Sequence, residues 1–441
     1  MKDLGEVYVD RRRMQLDAVE GDLVVESGAV EATDPGGLLR VQGDVRCRGD
    51  CDFLCSLEAN KIESRRGDVY VEGSLNAESV EVKRGSLEVR GDIEAKQLRV
   101  SRSLTTHGTV NVEYVNTGGT FKASGPVESR RVVVGGSLRT ETDVKIENMD
   151  VGGSATVGGE TRGTSIRVGG TFTGEGPVLV EDVDVGGSFR ANDTVDIESI
   201  DVGGTVRLSG GRVARTLEVG GSLKSSEPLE FGDLDVGGTI TLSGGEGGDI
   251  GVGGTLKSDG ELRFKNISVG GTVKIDGAAG GENVSVGGTF KVYGDLSLSE
   301  RLKVGGRATI DGNAKADSIR VGGRLEAYKA EADKFIEASV LRTRHGAKAT
   351  RIEIGRRGEA RGPLIGEVVI AKERSEIGDV WADEIQLRSR AQAGHLHGRR
   401  VQLGHGCEVE GVTYTETLRS ETSARIRTAP QKAEKLSEPP F

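Results

Sequence analysis

Apolar residues along this chain come in pairs two positions apart, and the pairs recur at a fixed interval. The clearest landmark is a valine followed by Gly-Gly and then mostly Ser or Thr. It occurs at Val134, Val151, Val168, Val185, Val202, Val219, Val236, Val252, Val269, Val286, Val304 and Val321. Successive gaps are 17 residues, apart from one of 16 and one of 18. A second apolar residue sits two positions earlier, as at Ile166, Val183, Ile200 and Leu217, and a third four positions later, as at Leu138, Phe172, Phe189 and Val206. A further pair fills the rest of many intervals: Val178 and Val180, Val195 and Ile197, Leu229 and Phe231, Leu296 and Leu298. Residues two apart share one side of a strand, and no 3.6-residue period competes. A fixed period means one unit stacked on itself.

The spacing predicts an all-β fold, a single-stranded parallel β-helix of triangular section with three short strands in each turn of ~17 residues. Val202, Val219 and Val236 are expected in one core column, and Phe172 and Phe189 in another. Gly-Gly reads as a tight corner needing positive φ. Pro126, Pro177, Pro228 and Pro363 share one register and so one corner, where no ladder N–H is required.

The pattern extends to Val100, Val82, Ser64 and Val41 on one side and to Glu337, Ile354, Ile370, Leu387 and Leu403 on the other. The boundaries read as a short tail or cap over 1–18, a continuous β-helix over 19–427 and a disordered tail over 428–441. That is roughly 23 coils, about 110 Å at the strand spacing of a sheet.

Composition fits a thin core: glycine is 69 of 441 residues and aromatics are 4%. The net charge of -10 gives no reason to expect nucleic-acid binding. Residues 324–441 carry 21 basic and 18 acidic side chains, so the negative charge belongs to the preceding part. No apolar run suits a transmembrane segment, and the opening residues lack the apolar stretch of a signal peptide. Four cysteines do not make a disulfide scaffold, so a reducing cytoplasm is the expected location.

Candidate chemistry is sparse. Cys47, Cys51 and Cys55 form a C-x3-C-x3-C run that could hold a metal, but their alternation favours burial as small hydrophobes. His395 and His397, with His405 and Cys407, are the one local His/Cys grouping; ordinary surface is the favoured reading over a zinc site. No phosphate-binding glycine motif is present. The hydroxyl column Ser137, Ser154, Thr171, Ser188, Thr205, Ser222, Thr239, Thr255, Thr272 and Thr289 reads as corner hydrogen bonding to backbone.

Charged columns are more informative. Arg139, Arg190, Arg207, Lys224, Lys257, Lys274 and Lys291 lie five residues past the landmark valine; Asp150, Asp184, Asp201, Glu218 and Asp235 lie one before it. Both sets alternate with core residues and face solvent. They read as solubility and pairing around the corner, or as complementary stripes for lateral contact. Leu396, Val401, Leu403, Val409 and Val412 are candidate end contacts.

The segments V-E-G-S-L-N-A-E-S-V-E-V (71–82), L-E-V-R-G-D-I-E-A-K-Q-L-R-V (87–100) and A-K-A-D-S-I-R-V-G-G-R-L (314–325) resemble the repeats of bactofilins, polymer-forming cytoskeletal proteins. The resemblance covers roughly residues 20–415 as a repeat style and implies a right-handed β-helix, nucleotide-independent filaments and a scaffold role. The chain is longer than a bactofilin core and adds the fixed V-G-G corner. The expectation is a structural, filament-forming protein with itself as partner, and other cytoskeletal or envelope-associated proteins as further partners. It would have no catalytic activity and no cofactor. The other reading is a rod-like binding protein that presents a charged or hydroxyl-rich face to a partner or polymer.

Overall fold

The computed structural model describes residues 6–441. The chain is an all-β parallel solenoid of about 17 residues per turn and about 25 turns, with no helix among the described residues. It divides into two units, Met1–Gly221 and Ser222–Phe441.

In the first unit a typical turn is Val178–Val185 followed by Ser188–Ala191. Val178 and Val180, Val183 and Val185, and Phe189 and Ala191 are buried, while Glu181 and Asp182 are both exposed. That break in alternation is a corner, so the turn has three faces. The strand runs on through this corner, with only Glu181 and Glu198 dropping out of the pairing, and the three strands expected from the sequence become one of eight residues and one of four. Each turn pairs in parallel with the next: Val178 lies beside Val195, Val185 beside Val202, and Val202 beside Val219. Phe172 and Phe189 stack with centroids 5.3 Å apart and planes 14° from parallel. The first described strand, Val7–Gln15, pairs with Leu23–Glu31 through a bulge at Asp10–Arg13, where Arg11 has φ 46°. Segment 7–15, expected as a tail or cap, therefore already belongs to the sheet.

In the second unit Val236, Val252, Val269, Val286, Val304 and Val321 form one column. Phe231 lies beside Gly247, and the Phe264 ring lies over Gly281, so a large ring alternates with no side chain at all. Arg307–Arg361 is extended throughout its 55 residues, just over three turns. Here alanines such as Ala314, Ala316, Ala330 and Ala347 fill inward positions and thin the core.

The Gly-Gly corners differ from expectation in their cause. None of these glycines has a left-handed φ. In-register stacking instead sets each corner on the one before it. A Cβ on Gly152 would lie 2.4 Å from the Gly135 carbonyl oxygen, and one on Gly187 would lie 2.5 Å from that of Gly170. Close approach of backbone, rather than chirality, selects glycine. The proline corner follows the expectation: Pro126, Pro177 and Pro363 each precede a long strand and accept a hydrogen bond from Val110, Thr161 and Ala347 of the preceding turn. At the same corner an aspartate often caps the next turn. Asp92 accepts from Thr109 N at 2.7 Å, Asp143 from Glu160 N at 2.8 Å, and Asp295 from Asn313 N at 2.7 Å. This explains the recurring Gly-Asp before an apolar residue.

Candidate interaction surfaces

Parallel register turns a 17-residue spacing into rows of side chains about 4.8 Å apart on the strand faces. In the first unit Asp184, Asp201 and Glu218 form such a row, all exposed. Asp150 belongs to the same column, but Arg167 separates it from Asp184. Arg190 and Arg207 are direct neighbours, whereas Thr156 and Thr173 intervene between Arg139 and Arg190. In the second unit Lys257, Lys274 and Lys291 are consecutive; Thr241 separates Lys224 from Lys257, and Gly251 follows Asp235. Each sequence-derived stripe thus contains a short continuous row.

The three lysines do not pair around the corner. Lys257 reaches Asp259 at 2.5 Å and Lys274 reaches Asp276 at 2.8 Å, partners two residues along the same face. The Lys257 hydrogen bond holds the Asp259 carboxyl below its ordinary pKa, and Asp276 raises that of Lys274. Lys291 instead lies 4.0 Å from the centroid of the exposed Tyr293 ring. Elsewhere ion pairs join neighbouring turns, as in Lys145–Glu128 at 2.6 Å and Arg320–Glu337 at 2.8 Å. In the hydroxyl column, Thr120 meets Ser137 at 3.3 Å and Thr171 meets Ser188 at 3.2 Å. These hydroxyls bond one another along the column, where the sequence analysis expects bonds to backbone.

The cysteines are free and buried. Cys51 donates to the Gly49 carbonyl at 3.4 Å. The Cys47 thiol is pushed well above its ordinary pKa, by its hydrogen bond with Cys51 first and by burial second. Among the described residues no three His, Cys, Asp or Glu side chains converge on a point that could hold a metal. His395, His397, His405 and Cys407 go separate ways. His395 lies 3.6 Å from Asp379, His397 stacks on Trp381, His405 meets Ser423 at 2.7 Å, and Cys407 donates to the Arg388 carbonyl in the core.

The expected end contacts are interior. Leu396, Val401, Leu403, Val409 and Val412 are all buried, with at most 3% of their surface exposed. Leu396 pairs with Val412, Val401 with Leu418 and Val409 with Ile426, because the coil pattern continues through Glu408–Ser420 and Arg425–Ile426. An apolar end there would require the solenoid to stop a turn earlier.

The sequence reading missed an aromatic feature on the second unit. Tyr328 and His345 stack at 5.5 Å, and Trp381 and His397 at 4.8 Å. Their spacings of 17 and 16 residues were the available signal. Segment 428–441, expected to be disordered, runs over them: Gln431 and Lys432 pair with Thr413 and Tyr414, and Phe441 packs on His345. These contacts join residues far apart in sequence, which no local composition reveals.

These features define a parallel β-solenoid with exposed charged rows and an aromatic seat. Comparison with protein-family models, curated proteins and solved structures finds no match. Among the described residues no helix is long and apolar enough to cross a membrane.

Proposed function

We propose that this protein is a structural scaffold that assembles with copies of itself side by side, without nucleotide. The observation that carries the reading is the pair of in-register like-charge rows, Asp184–Asp201–Glu218 and Lys257–Lys274–Lys291. Like charges one strand apart repel, most in the acidic row, which has no ion-pair partner among the described residues, whereas Lys257 and Lys274 already hold Asp259 and Asp276. An opposing row on a second copy relieves that repulsion and fixes register. The repeat style shared with bactofilins supports the same role, and four free, buried cysteines suit a cytoplasmic location. Burial of the apolar residues expected at an end favours lateral contact over end-to-end contact. Other cytoskeletal or envelope-associated proteins are further partners under this reading.

The test is electron microscopy with light scattering on the purified protein, at low and high salt and with and without nucleotide. Expected are bundles that dissolve as salt screens the rows, and that ignore nucleotide. Reversing Arg207, Lys224, Lys257 and Lys274 to Glu abolishes them. Monomers at every concentration in low salt refute self-assembly. In that case the hydroxyl column, with its Thr171–Ser188 bond, and the charged rows favour a binding solenoid that presents one face to a different partner.

A further inference from the structure

The aromatic seat and the segment lying on it form a matched pair within one chain. Tyr328 and His345 stack in consecutive turns, but the same position one turn later is Gly362, which offers no ring. Phe441 supplies a third ring, 5.4 Å from His345. It sits over Gly346, where an added Cβ would lie 2.2 Å from the ring, and the Lys329 ammonium lies 4.9 Å from its centroid. Farther along, Ser437 Oγ is 3.3 Å from Trp381 Nε1 and 3.2 Å from His397 Nδ1. An indole N–H only donates, so the serine oxygen accepts from Trp381 and its own hydrogen is free for His397. Gln431 and Lys432 make the third attachment, to Thr413 and Tyr414. Between these points Glu434, Lys435 and Glu438 to Pro440 are exposed.

Resting on the self-assembly reading above, we propose that this seat takes segment 431–441 from a second copy of the chain, so that neighbouring copies are tied by exchanging it. An identical segment from another copy makes identical contacts, so exchange conserves the contacts and requires only release and recapture. Release is easy for a segment with three attachments and little burial, which belongs to the low-stability end of the structure. The hinge is the stretch before Gln431, where Pro430 holds Ala429 extended and away from a compact turn. In a side-by-side assembly a neighbour's segment is present at an effective concentration on the order of millimolar, which lets it compete with the chain's own.

Trp381 is the single tryptophan and lies under Ser437, so its emission and acrylamide quenching report occupancy. An acceptor variant of the full chain carries Ser437→Ala and Phe441→Ala, which empties its seat while keeping Trp381. A donor variant keeps the segment but carries Trp381→Phe and His345→Ala, so it is silent and cannot hold its own segment well; Tyr328→Ala replaces His345→Ala if that chain misfolds. Quenching of the acceptor alone is expected to exceed wild type, and excess donor is expected to restore the wild-type value. A donor that also carries Phe441→Ala should not restore it. No difference between acceptor and wild type overturns the seat, and no restoration by excess donor overturns exchange. Bundles without restoration overturn exchange and leave lateral assembly standing; restoration without bundles does the reverse.

Discussion

Two threonines occupy positions that the stack reserves for valine. Thr117 lies between Val100 and Val134, and Thr161 between Val144 and Val178. Both are fully buried, and neither hydroxyl has a hydrogen-bond partner. An unpaired buried hydroxyl costs about 1–3 kcal/mol of desolvation. The valine methyl that replaces it adds apolar burial worth up to about 0.8 kcal/mol. Neighbouring valines already fill the same column, so Thr117→Val and Thr161→Val fit without strain. Each is expected to stabilise its region by about 1–3 kcal/mol, nearly additively because the sites share no partner. Thr106 and Thr140 are the internal controls. They are as deeply buried, but donate to the carbonyls of Gly108 at 3.4 Å and Thr142 at 3.3 Å. Their valine variants lose a bond worth about 1 kcal/mol and should be no more stable than wild type. A long solenoid need not unfold in one step, so amide hydrogen exchange around each site complements the urea midpoint. If all four variants shift together, or the first two destabilise, the hydroxyls are not the cause and the reasoning fails.

Further outcomes follow from the packing and the charges. Gly152→Ala and Gly187→Ala should each cost about 1–3 kcal/mol by forcing neighbouring turns apart, and unchanged urea midpoints would contradict the close-approach explanation. Phe172→Ala removes half of a buried stacked pair and should cost about 3–5 kcal/mol, while Val219→Asp buries a lone carboxylate and should disrupt the neighbouring turns; circular dichroism and hydrogen exchange read both. Glu353 receives Lys372 and, at 3.0 Å, Arg351; the Lys372 hydrogen bond above all holds its carboxyl below the ordinary range. A lowered folded-state pKa contributes stability above the unfolded value of about 4.3 and loses it as pH falls through the folded value. Glu353→Gln should therefore cost about 0.5–1 kcal/mol near neutrality, with the difference from wild type closing below about pH 4; a pH-independent difference would show that charge plays no part.

The sequence by itself determined the repeating turn. A two-residue alternation returning every 17 residues leaves only strands that stack, which is why Phe172 meets Phe189 and Val202 meets Val219 as expected. It also placed the proline corner, since a residue without an N–H is confined to where the ladder needs none. The tertiary structure decided what depends on the distance between turns. It set the reason for glycine at Gly152, which is the carbonyl of Gly135 and not its own φ. It gave Lys257 its partner, Asp259 on the same face instead of an acid around the corner. It buried Val409 under Ile426, and it laid Phe441 on His345, nearly a hundred residues away. Periodicity encodes contacts at the repeat distance because each residue meets its equivalent one turn away. Contacts at any other separation depend on where side chains and the last segment come to rest, and only the assembled solenoid fixes that.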